Sequence, residues 1–118
     1  MGTETEHRRK SVHNDDFLKT IDSKKYPDWA VTVCFYKALH LVEMLFANGG
    51  KHSNSHRDRH DVLKRDHTDI WMQYLPLYTQ SRRARYKMDA IKPATVQYVE
   101  GRLANVERIV SARLTAKS

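Results

Sequence analysis

The stretch 29–47 constrains the fold more than any other, because fifteen of its nineteen residues are apolar and only Thr32, Lys37, His40 and Glu43 are polar. A helix that is apolar nearly all round has to be enclosed by other elements. Lys37, His40 and Glu43 interrupt it, whereas a membrane-spanning helix needs ~20 mostly apolar residues with few charges. The stretch therefore predicts a central buried helix over 28–48. Pro27 disfavours helix at Tyr26, Asp28 offers a carboxylate to the helix N-terminus, and Asn48-Gly49-Gly50 closes the other end.

The remaining sequence supplies the enclosing helices. A first helix is expected over 4–22, with Phe17, Leu18 and Ile21 as its apolar side and its first two turns frayed. A polar loop at 51–55 ends in Asn54 or Ser55, either of which can cap a short helix to Arg65 that offers only Val62 and Leu63 to a core. A further helix, capped by Thr68 or Asp69, is expected to reach Lys87, with a kink or restart at Pro76. After a connector over 88–92, Pro93 opens a last helix to Ala116. Its apolar residues Val96, Val99, Leu103, Val106, Val110 and Leu114 step by three and four, the amphipathic signature. Short loops between long helices imply an all-α, antiparallel, up-and-down four-helix bundle with one additional short helix. The 118 residues suffice for one domain, 1–118, with 1–6 frayed.

Four Gly and three Pro argue against strand-rich folds. The charged N-terminal segment has no apolar core of a signal peptide, and the single Cys34 has no internal partner, so a soluble cytoplasmic protein is expected. Cys34 reads as a small core residue rather than a nucleophile. The net charge of +7 is spread along the chain with a mild peak at Ser81-Arg82-Arg83-Ala84-Arg85, which favours a polyanionic partner without requiring one.

Two features point to a site. At 100° per residue, Thr32, Lys37, His40 and Glu43 fall on one side of the central helix, a polar stripe that either faces water or lines a pocket. Its apolar neighbours Leu39, Leu41 and Val42 mark His40 as the inward member. In the fourth helix, Ile70, Trp71, Tyr74, Leu75, Leu77 and Tyr78 form the apolar face. Arg85 projects from the middle of that face, with Arg82 near one edge and Tyr86 just beyond. An inward arginine keeps its charge and needs an acidic partner, for which Glu43 is a candidate, or a bound anion.

Other chemistries find little footing. His52, His56 and His60 are four apart, a spacing that can hold zinc on a helix. Arg57 and Arg59 lie between them and no further ligand has diagnostic spacing, so a solvated polar helix is expected, with no metal and no cofactor. No serine sits in a nucleophile turn, Gly49-Gly50 is in no phosphate-binding pattern, and His40-x-x-Glu43 reverses the order used by di-iron bundles.

The segments YPDWAVTVCFYKALHLVEMLFA, SHRDRHDVL and YLPLYTQSRRARY, together with Asn14, resemble the small prokaryotic branch of the HEPN domains over residues 7–115. The features that carry the resemblance are Tyr26 to Ala30, Tyr36 with His40 to Glu43, Ser55-His56 with Arg59, and Ser81-Arg82 with Ala84-Arg85-Tyr86. It implies a helical bundle that often dimerises, found near nucleotidyltransferase or toxin–antitoxin partners, and in some members a metal-independent endoribonuclease built on Arg-x4–6-His. The only such spacing here is Arg8 to His13 in the first helix, whereas the family places the pair late in the domain, so the nuclease motif is carried over to no residue. The expected site is an anion cleft of His40, Glu43, His56, Arg59, Arg82, Arg85 and Tyr86, binding a nucleotide, an RNA phosphate or a partner protein without turnover. The alternatives are a ribonuclease with a rearranged His/Arg centre and a purely structural interaction bundle.

Overall fold

A computed structural model describes residues 2–86 and 90–116. They form five helices: α1 (Glu4–Thr20), α2 (Pro27–Asn48), α3 (His56–Asp66), α4 (Thr68–Tyr86) and α5 (Pro93–Ala116). No strand occurs among the described residues. The expected end of α4 at Lys87, and Met88 and Asp89 of the connector, lie outside the described residues.

Pro27 starts α2 at a position whose N–H would have no helical partner anyway. Gly50, at φ +76°, takes the left-handed conformation that ends it, and the Lys51 N–H donates to the Phe46 carbonyl at 2.9 Å. By length and composition α2 could cross a bilayer, yet 83% of its most apolar window is buried inside the bundle. Helices α1, α4 and α5 all pack on it, α4 and α5 pack on each other, and α3 rests on α4. From α5 the core takes Val96, Val99, Leu103, Val106 and Val110, the stripe expected from the spacing, while Leu114 is half-buried.

The N-terminus differs from expectation. Instead of fraying, α1 begins in a capping box. Thr3 Oγ1 accepts from the Glu6 N–H at 3.1 Å, and Glu6 accepts from the Thr3 N–H at 3.1 Å. His7 and Ser11 are buried one turn further on, so this end is held by both hydrogen bonds and packing. Thr3→Ala is expected to lower stability by about 1 kcal/mol, measured by urea unfolding. No change would mean that the first turn contributes nothing. The other end of α1 stops two residues early. The Asp22 carboxylate accepts from the Lys24 and Lys25 N–H groups, a local turn that competes with helix.

Helix α4 runs through Pro76 as one element rather than restarting. Proline removes one N–H from the ladder, and the burial of Tyr74 and Leu77 on either side holds the two halves in register. Leu75, placed on the apolar face by its spacing, is 40% exposed. Helix α3 is capped by Ser55, whose hydroxyl accepts from the Asp58 N–H at 3.0 Å. It buries Leu63 and Arg59, the latter one of the expected cleft residues, and half-buries Val62.

Candidate functional site

The polar stripe of α2 does not face water. It is divided between two seams. Lys37 turns to the α1–α5 side, where its ammonium donates to Asp15 at 2.9 Å and Glu107 at 3.1 Å. Those bonds outweigh the burial that would otherwise lower the pKa of Lys37, and they hold Asp15 below the usual carboxylate range. His40 turns the other way, toward a groove, while Glu43 is fully buried beneath α3.

The floor of that groove is one row of α2: Trp29, Thr32, Tyr36 and His40, spaced three, four and four apart so that they stack along one face. Lys10, Asn14 and Phe17 of α1 form one wall of a hollow of about 290 Å³ over this row. On the opposite side Ala84 and Arg85 of α4 close a second hollow of about 220 Å³, which shares Trp29 and Thr32 with the first.

Arg85 is half-buried and heavily tethered. One terminal nitrogen donates to the Tyr36 hydroxyl at 2.6 Å, and Nε donates to the Ser81 carbonyl at 3.2 Å. The guanidinium lies 5.5 Å from the Tyr36 ring centre and 5.2 Å from that of Tyr86, within cation–π range. Glu43, a candidate partner of Arg85, is taken by another residue. Its Oε1 accepts from Arg59 Nε at 2.7 Å, with both side chains buried. The reason is positional: α3 brings Arg59 directly over Glu43, while the Tyr36 hydroxyl reaches Arg85 first. Among the described residues no carboxylate pairs with Arg85 or with Arg82, whose nearest polar contact is the Tyr78 hydroxyl at 3.3 Å.

His56 joins this cluster from the start of α3. Its ring packs on Phe35 and Tyr78, at 5.9 and 5.4 Å between centres. Arg59 contacts its Nδ1 at 3.0 Å. Arginine can only donate, so His56 Nδ1 must accept, and the neutral ring carries its proton on Nε2. Burial lowers the pKa of His56, and Arg59, Arg85 and Arg82 lower it further. At neutral pH it is therefore an uncharged donor beside two unneutralised guanidiniums. That combination suits a phosphate or carboxylate. Tyr86 is largely exposed at the outer edge.

His40 and Arg85 do not meet directly. Both flank Tyr36, and His40 Nδ1 instead contacts His7 Nδ1 of α1 at 2.9 Å. One ring must donate and the other accept. Making His7 the donor leaves its buried Nε2, which has no partner, as a bare acceptor rather than a stranded N–H. Burial, then His7, Lys10 and Arg59, push the pKa of His40 down to about 4. His7 was missed by sequence reading. The signal that could have found it is the stepping His7, Ser11, Asn14, Leu18, Ile21, which extends the apolar side of α1 back to its first turn.

The His52/His56/His60 segment was expected to be solvated. His60 instead packs edge-on against Tyr78 at 4.5 Å between ring centres and against Trp71 at 5.1 Å, and its pKa is pushed down to about 4, first by burial. Its Nε2 is buried without a partner. Of the expected site residues, His56, Arg59, Arg82 and Arg85 come together, Glu43 is bound beneath them by Arg59, Tyr86 stands at the rim, and His40 lies across Tyr36. Compared with known proteins, the chain matches no family model, and no curated protein matches it.

Proposed function

We propose that this chain is a HEPN-like module that binds the phosphate of a nucleotide or RNA in the His56/Arg82/Arg85 corner of the groove, without turnover. In this reading α1, α2, α4 and α5 run antiparallel, up and down, and the protein is a cytoplasmic homodimer working beside a nucleotidyltransferase or toxin–antitoxin partner. One observation carries the binding role: two arginines and a donor imidazole converge with no carboxylate among the described residues to neutralise them. The residues that carry the resemblance support it as well, since Asn14, Trp29, Tyr36, His40 and Arg85 all border the two hollows of the groove.

The absence of turnover is favoured by the His56 tautomer. A ribonuclease base must accept the proton of a 2′-hydroxyl, and Arg59 occupies the one acceptor nitrogen of neutral His56. His56 is thereby suited to donating a hydrogen bond to an anion.

The reading is tested by titrating single-stranded RNA and nucleotides at two salt concentrations. Binding should weaken as salt rises, and Arg85→Ala should weaken it about tenfold or more and shallow the salt dependence by about one ion. If no salt concentration gives binding and Arg85→Ala changes only the melting temperature, the groove is internal structure and the proposal fails.

A further inference from the structure

Trp29 is 57% exposed, Phe17 49% and Tyr26 45%, although each belongs to a helix end packed on the core. These three aromatics converge on a single hollow of about 450 Å³, floored by Ile21. That volume is in the range of small-molecule sites. Its position gives it meaning. Phe17 and Trp29 also line the His40 hollow, and Trp29 lines the Arg85 hollow, so the indole stands where three hollows meet.

Charge divides the groove along its length. Asp28 shares the hollow of Trp29 and Arg85, and its carboxylate disfavours a phosphate on that side. Away from that carboxylate, His56 and Arg82 both pack on the Tyr78 ring, at 5.4 and 5.7 Å, and His56 and Arg85 both pack on Phe35, at 5.9 and 5.8 Å, with no carboxylate among the described residues paired to either arginine. Arg85 and Trp29 line one hollow, which connects that anion corner to the aromatic hollow beyond the indole. The hollow beyond is mainly aromatic, with Thr20 and Asp22 as the polar groups in its lining. Stacking on exposed aromatic rings beside a cationic groove is how proteins hold bases of single-stranded nucleic acid.

We infer that the Phe17/Tyr26/Trp29 hollow is a nucleobase subsite, in which a base stacks on Trp29 while its 5′-phosphate lies on Arg85, Arg82 and His56. The inference rests on the phosphate-binding reading and adds to it the part of the ligand that supplies selectivity over bare phosphate. Ribose 5-phosphate and free phosphate share the anion and lack the ring, so they should bind more weakly than AMP. The preference for AMP should reside in one side chain that contributes nothing to the phosphate contact.

The experiment is calorimetric titration of the full chain with AMP, ribose 5-phosphate and inorganic phosphate. AMP should bind about tenfold or more tightly than ribose 5-phosphate. Trp29→Ala should erase that preference while leaving ribose 5-phosphate affinity unchanged, and Trp29→Phe should restore much of it. AMP should also quench tryptophan fluorescence of the parent, which ribose 5-phosphate should not do. Equal affinity for AMP and ribose 5-phosphate, with both lost in Arg85→Ala, would overturn the base subsite and keep the phosphate site. An unchanged AMP preference in Trp29→Ala would do the same. If Trp29→Ala lowers the sedimenting mass without altering AMP affinity, a second copy of the chain covers the patch and the inference is wrong. No binding of any of the three compounds would remove both readings.

Discussion

Arg59→Ala is expected to destabilise the fold by about 3–5 kcal/mol, the largest effect of any single substitution proposed for this protein. Glu43 is fully buried and Arg59 is 4% exposed, so removing the guanidinium leaves a carboxylate in the core with no partner at 2.7 Å to offset its lost hydration. The other Glu43 oxygen already lacks a partner, which leaves no spare contact to compensate. The double variant Glu43→Leu/Arg59→Met removes both charges and should recover most of the loss, because the penalty lies in the orphaned charge rather than in the absent attraction. Urea unfolding of the single and double variants measures both. A loss below about 1 kcal/mol in Arg59→Ala would mean that Glu43 reaches water. The same pair ties α3 to α2, so the substitution should also release the His56 end of the site.

The second large effect is acid sensitivity well above the carboxylate range. The His40 and His60 pKa values are pushed from 6.5 down to about 4, first by burial and then by neighbouring histidines and cations. The unfolded chain takes up these protons near pH 6.5 and the folded chain only near pH 4. Stability is thus fully present above about pH 6.5, falls as the pH drops toward 4, and then levels for these two groups. Full conversion would be about 3 kcal/mol for each ring. Both rings still border solvent, so roughly half survives screening, or about 3 kcal/mol for the two together. His7 and His56 are lowered as well, burial leading in both, and act in the same direction. Unfolding at pH 7.5 and pH 4.5 should show this loss, and His60→Phe should remove about half of it. Equal stability at the two pH values would refute the neutral, buried state of these rings.

Much of the fold was legible because two segments are unambiguous. The enclosed helix over 28–48 and the three-and-four stripe from Val96 to Leu114 depend only on periodicity and on glycine and proline punctuation. Where a local bond decides a boundary, reading failed by a turn or so, as with the Thr3 and Glu6 capping box and the Asp22 turn. The site was legible in membership and less so in pairing. Helical projection brings Arg85 inward, but which carboxylate it meets depends on where α3 lies. That placement is set by packing of Leu63 and Val62, which no local pattern encodes. His7 escaped notice, and His60 was placed on a solvated helix, for the related reason that a polar, charge-rich sequence looks solvated until a neighbouring aromatic or imidazole covers it.

Cys34 sits at the centre of the bundle, fully buried, with its pKa pushed to about 12 chiefly by burial. Its sulfur cannot become a thiolate, or meet an alkylating reagent, until the helices around α2 separate. The protein thus carries its own stopwatch. The pace at which iodoacetamide modifies this one position, read by mass, reports how often the whole bundle opens, and a bound nucleotide should slow it by the same factor by which it stabilises the folded chain.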